Sequence, residues 1–175
     1  MTKLRITPEA RVIDHLFEDS EFFLQEAKKL QGQGQHVSRR FIRASIITAF
    51  AALEAYLNTM LFFLDEADDL ELVERAFIQE KRVELTEWGY FDLAGHRFQS
   101  LEEKIRFLYW KAQGLRIPKG DAVWQSFIEA KKLRDEIVHS KPGKVSYAKL
   151  TTSAADSCLK ATSDMAKTLG WHRTL

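Results

Sequence analysis

Between Ala44 and Leu64 the chain carries one charged residue, Glu54, in a run of otherwise apolar and neutral positions. Few folds can absorb a stretch like this. About 20 such residues suffice to cross a bilayer as a helix. The same run also fits a core helix that neighbours surround on most sides. The polar groups decide against the membrane: a mid-run Glu54, Asn58, and the hydroxyls of Ser45, Thr48 and Thr59. The polar flanks are short. The expectation is a central helix over about Ser38–Asp65, with Ser38 as its cap and other helices packed against it. Glu54 and Asn58, four residues apart, share one face and make a polar spot on it.

The rest of the chain supplies those other helices. Thr7-Pro8 is a cap followed by a proline at the first helical position. Ile13, Leu16, Phe17, Phe23, Leu24, Ala27 and Leu30 then recur at three and four, an amphipathic stripe. Gln31–Gln35 is a turn, and Asp69–Val83 reads as a shorter helix. Glu84–Gln99 has Trp88, Tyr90, Phe91 and Phe98 without a steady period. It is expected to be a loop insertion folded back on the core, although exposed aromatics there could stack bases. Ser100 and Glu103 form a capping box for a helix that ends near Gly114. Asp121 caps the next. A last helix starts at Ser146, with Tyr147, Leu150, Ala154, Cys158, Ala161, Met165 and Leu169 on its buried stripe. The expected fold is all-α, an up-and-down bundle of five to six helices. It forms one domain over residues 1–175, with a core of about 8–169.

The helix opened by Asp121 carries the chain's most unusual pattern. On a helical wheel Val123, Phe127, Ala130, Ile137 and Val138 fall within about 80° of their mean direction. Arg134 lies about 20° from Phe127, inside that stripe. An arginine in such a place needs an anion, from the protein or from a ligand. His139 follows five residues later, roughly 140° further round, in the last turn before Pro142 and Gly143 end the helix. One helix therefore does not aim both side chains at one point. Asp135, four residues before His139, can orient its ring. Glu54 can pair with Arg134 as a buried salt bridge, or it and Asn58 can hold the arginine toward a phosphate.

Charge adds a direction to this pattern. The net charge of the chain is +1, yet residues 104–149 hold 11 Lys and Arg against 4 Asp and Glu. Residues 65–74, by contrast, carry six acids. Two solvated faces of opposite sign, or a basic surface around Arg134 that attracts a polyanion, both fit. A single cysteine excludes a disulfide framework and a cage of thiolates, which points to a reducing, cytoplasmic compartment. The first ten residues hold no apolar run, so no signal peptide is expected. No metal-ligand spacing, glycine-rich phosphate loop or repeat is present, so no metal or other cofactor is expected.

The hexapeptide RDEIVH, Arg134–His139, at the end of a helix and before a basic turn, resembles the motif of HEPN domains. There an arginine is followed after four to six residues by a histidine, and the residue after the arginine is often Asn, His or Asp. LEAYLN (Leu53–Asn58) and SLEEKIRFL (Ser100–Leu108) resemble the family too. The resemblance implies a helical bundle and a metal-independent endoribonuclease whose active site forms where two copies of the motif meet in a homodimer. It makes Arg134 and His139 the catalytic pair, with Asp135, Glu54 and Asn58 in support and Lys131, Lys132, Lys141 and Lys144 on the RNA backbone. The biological setting it implies is a toxin or defence effector restrained by an antitoxin or regulatory protein. Non-catalytic members imply an alternative, a module that binds a nucleotide, RNA or protein partner.

Overall fold

Six α-helices, two short 3-10 turns and one two-stranded hairpin account for the regular structure among the described residues, and the chain belongs to the all-α class. The computed structural model describes residues 8–32, 35–66, 69–139 and 147–172. These fall into two units, Met1–Tyr56 with Pro118–Leu175, and Leu57–Ile117.

The first unit is a bundle of α1 (Pro8–Lys29), the opening part of α2 (Gln35–Asp65), α5 (Ala122–Val138) and α6 (Thr152–Thr168). Its core follows the amphipathic stripes: Ile13, Phe17 and Leu24 from α1, Ile46, Phe50 and Leu53 from α2, Phe127 from α5 and Met165 from α6. Ala155, Cys158, Ala161 and Ala166 keep the buried face of α6 narrow, which lets α1 and α5 both pack against it. Polar ties fix the register. The Ser20 hydroxyl donates to the Ser45 carbonyl at 2.9 Å, and the Tyr56 hydroxyl donates to the Leu169 carbonyl at 2.8 Å. Ser38 is not the cap of α2, which already starts at Gln35; its hydroxyl donates instead to the Ala27 carbonyl of α1 at 3.0 Å. α6 starts at Thr152 rather than at 146. Thr151 caps it by accepting from the Ala154 N–H, and a 3-10 turn, Tyr147–Lys149, precedes it. Thr7 and Ser146 lie outside the described residues.

The second unit contains the end of α2, α3 (Leu72–Ile78), β1 (Arg82–Leu85), β2 (Phe91–Ala94) and α4 (Leu101–Gln113). The boundaries of α4 match its sequence signals. Ser100 and Glu103 satisfy one another's orphan groups at its start, and Gly114 ends it in the left-handed conformation, φ 67°. Two expectations are corrected here. α3 does not run to Val83: it stops at Ile78, and Glu80 then takes φ 52°. The segment expected to be a loop contains an antiparallel hairpin in which Val83 faces Leu93 and Leu85 faces Phe91. Nor do its aromatics fold back. Trp88 is 86% exposed, and Tyr90, Phe91 and Phe98 are also exposed. Strands of four residues are too short to show a clear period of two, so their alternation does not stand out from a loop.

By length and composition α2 could cross a membrane, and an 18-residue stretch within it has a mean hydropathy of 1.6. In the structure Ile42, Ile46, Phe50, Leu53, Leu57 and Leu61 are buried by protein, as the core-helix reading requires.

One buried acid gives the second unit a pH dependence. Glu74 accepts from Lys111 Nζ at 2.9 Å and from the Glu71 backbone N–H at 3.0 Å. The lysine first, then the backbone donor, hold its carboxyl below the ordinary 4.5. A depressed folded-state value means that the stabilisation is complete above the unfolded value and disappears as pH falls through the folded one. Lys111→Met is therefore expected to lower the melting temperature at pH 7. The gap to the parent should close below about pH 4.5 in melts followed by circular dichroism. A gap that is constant with pH would remove this pair as its cause.

Candidate functional site

α5 carries the motif because both of its ends are specified. Asp121 caps its start, accepting from the Val123 N–H at 2.8 Å. At the other end His139 is the C-cap that follows Val138, its N–H bonded to the Asp135 carbonyl at 2.9 Å. Trp124, Phe127 and Ala130 form the buried stripe, and Phe127 has no exposed surface. Their rings make a cluster with α2: Trp124 lies 5.8 Å and Phe50 6.2 Å from Phe127, centre to centre.

Arg134 continues this stripe one turn beyond Ala130 and covers the cluster. Its guanidinium carbon stands 5.1 Å from the centre of the Phe50 ring, within cation–π range. The side chain is 21% exposed. Its Nη1 lies 3.2 Å from Asp135 Oδ1, and its buried Nε has no hydrogen-bond partner. Asp135 also receives Lys131 Nζ at 2.8 Å on its other oxygen. Lys131, Asp135 and Arg134 thus form one chain of alternating charge along α5.

The expected Glu54–Arg134 salt bridge is absent among the described residues, and Glu54 is exposed. Arg134 meets α2 at Phe50, one turn before Glu54, where an aromatic face stabilises a cation with little desolvation of its outer nitrogens. The carboxylate stays in water, which costs less than burial. Asn58 is engaged elsewhere, accepting from Lys104 Nζ at 3.0 Å in the second unit. Asp135 does not hold the His139 ring either. Its short carboxylate is occupied by the two cations, and the link between the two residues is the backbone bond alone. His139 is exposed at the helix end. Lys132 is exposed and paired with Glu129 at 2.6 Å. Lys141 and Lys144 lie outside the described residues.

Phe50 is the site residue that sequence reasoning missed. It stands one turn before Glu54 on the same helix, but an apolar residue in an apolar run carries no local sign that a cation rests on it.

A cavity of about 620 Å³ lies between α5 and α6. Val123, Ser126, Ala130, Cys158 and Ala161 are among the residues around it, and neither Arg134 nor His139 is. Burial pushes the Cys158 thiol up to about 12, so it stays protonated at neutral pH. Iodoacetamide at pH 8 is expected to leave native protein unmodified and to label it fully in denaturant, as read by mass spectrometry. Labelling of the native protein would show that Cys158 is accessible.

The motif's resemblance rests on its own residues, since no family model, curated protein or solved structure matches this chain.

Proposed function

We propose that the chain is a metal-independent endoribonuclease of the HEPN type, acting as a homodimer in which the Arg134–His139 motifs of two copies share one cleft. What carries the reading is the state of Arg134. It rests on Phe50 with a single side-chain anion beside it, an adjacent aspartate on its own helix, and no carboxylate from the core ties it down. Such a guanidinium can turn its outer nitrogens to a phosphate without breaking a buried ion pair. His139 is free at the helix end to exchange a proton with solvent and substrate.

RNA brings its own nucleophile, the 2′-hydroxyl. A histidine takes its proton, the 2′-oxygen attacks the adjacent phosphorus, and the 5′-oxygen leaves with a proton from a second acid. The arginine stabilises charge that grows on the phosphoryl oxygens. The products are a 2′,3′-cyclic phosphate and a 5′-hydroxyl. DNA, without the 2′-hydroxyl, is not a substrate. Two copies of the motif supply both a base and an acid, and they answer the separation of about 140° between the residues on one helix. A toxin or defence effector of the cytoplasm, held in check by an antitoxin or regulatory protein, is the setting that fits this activity.

A second reading draws on the chain Lys131–Asp135–Arg134, in which Asp135 already offsets the arginine's charge. In that case the module binds a nucleotide, RNA or protein partner without cutting. One gel decides between them. Purified protein, a mixed RNA pool and EDTA are expected to yield fragments with cyclic phosphate ends. Intact RNA from a folded dimer would overturn the nuclease and leave the binding module.

A further inference from the structure

The second unit holds a cavity of about 540 Å³ between α3 and the hairpin. This is a size that small ligands occupy. Three cations line it, Lys81, Arg82 and Arg97, together with Phe77, Val83 and Gln99. Arg97 has a long ion pair with Glu103, 3.7 Å, while neither Lys81 nor Arg82 has an ion pair among the described residues. Like charges that converge on a concave wall repel one another unless an anion sits among them.

Gln99 is the second observation. It is 1% exposed, and neither its amide nitrogen nor its amide oxygen has a hydrogen-bond partner. Buried polar groups are nearly always bonded, and a carboxamide with both ends idle is rare. A primary amide offers a donor and an acceptor side by side, so its natural complement is another amide-type edge. Phe77 and Val83 supply apolar wall for the body of a ligand.

We propose that this cavity binds a small anionic ligand, a carboxylate or phosphate on an apolar body that also carries an amide-type edge. The anion meets Lys81, Arg82 and Arg97, and the edge pairs with Gln99. A long polyanion does not suit the place. The hairpin beside the cavity carries Glu84 opposite Asp92, with Glu87 between its strands, and these acids disfavour a long polyanion there. No residue of α5 takes part, and the proposal stands or falls independently of the nuclease.

Two probes separate its parts, used with the full chain in calorimetric titrations. Hippurate has a benzoyl body, an amide and a carboxylate; phenyl phosphate has a ring and a phosphate but no amide. Both are expected to bind. Replacing the two cations that lack an ion pair, Lys81→Gln with Arg82→Gln, should weaken each by about tenfold or more. Gln99→Leu should weaken hippurate by about tenfold and leave phenyl phosphate within about twofold. Circular dichroism checks the hairpin and helices of each variant. Absence of binding by either probe at millimolar concentration overturns the site. Equal binding by the double variant does the same. If Gln99→Leu weakens both probes alike, the amide pairing is wrong.

Discussion

Arg134→Ala and His139→Ala are each expected to slow RNA cleavage by about 10²–10⁴-fold, measured as initial rates on a fluorescent RNA with EDTA present. The two losses should differ in what accompanies them. His139 is exposed and bound to the fold through its backbone N–H, so its removal should change stability by less than about 0.5 kcal/mol. Arg134 covers Phe50. Its removal should cost about 0.5–2 kcal/mol, the range of a cation–π contact, and not the larger cost of breaking a buried ion pair. Arg134→Lys keeps the charge but lacks the planar, two-pronged grip on a phosphate, and it should recover little of the rate. Unchanged cleavage by either alanine variant would place the chemistry elsewhere in the chain. Loss of cleavage together with global unfolding in Arg134→Ala would make the arginine a structural residue.

Phe127→Ala carries the largest expected effect on stability, a loss of about 3–5 kcal/mol in urea denaturation. The ring has no exposed surface and sits between Trp124 and Phe50. Both neighbours are large and buried, so the space left behind cannot easily collapse. Phe50 would lose one of its supports, and with it Arg134 would lose a firm platform. Cleavage should therefore decline in this variant under conditions where most molecules remain folded. A loss below about 1 kcal/mol would mean that the helices close around the gap, and that the platform is softer than the packing implies.

The legible parts of this chain are those in which local chemistry and tertiary structure agree. Ser100, Glu103 and Gly114 bounded α4 correctly because a capping box and a left-handed glycine satisfy the helix's own orphan groups. Asp121 did the same for α5. The third helix ends at Ile78, short of the Val83 that its composition implies. Its residues can extend a helix, but β1 pairs with β2 and removes them from it, an outcome that depends on a segment further along the chain. Ser38 failed as a cap for a related reason. Its hydroxyl found the Ala27 carbonyl of a neighbouring helix, a partner that spacing within α2 does not reveal.

At the site the division is similar. Sequence alone placed Arg134 on the stripe of Phe127 and required something to stabilise its charge there, because helical periodicity and the cost of burying a cation are local facts. It also put His139 at the helix end and separated the two side chains by about 140°. What stabilises the arginine was decided by tertiary structure. Phe50 and Asp135 take that role while Glu54 remains in water. Helix periodicity tells which residues share a face, but which turn of α2 meets α5 depends on how the large side chains of both helices interlock, and no single helix contains that information.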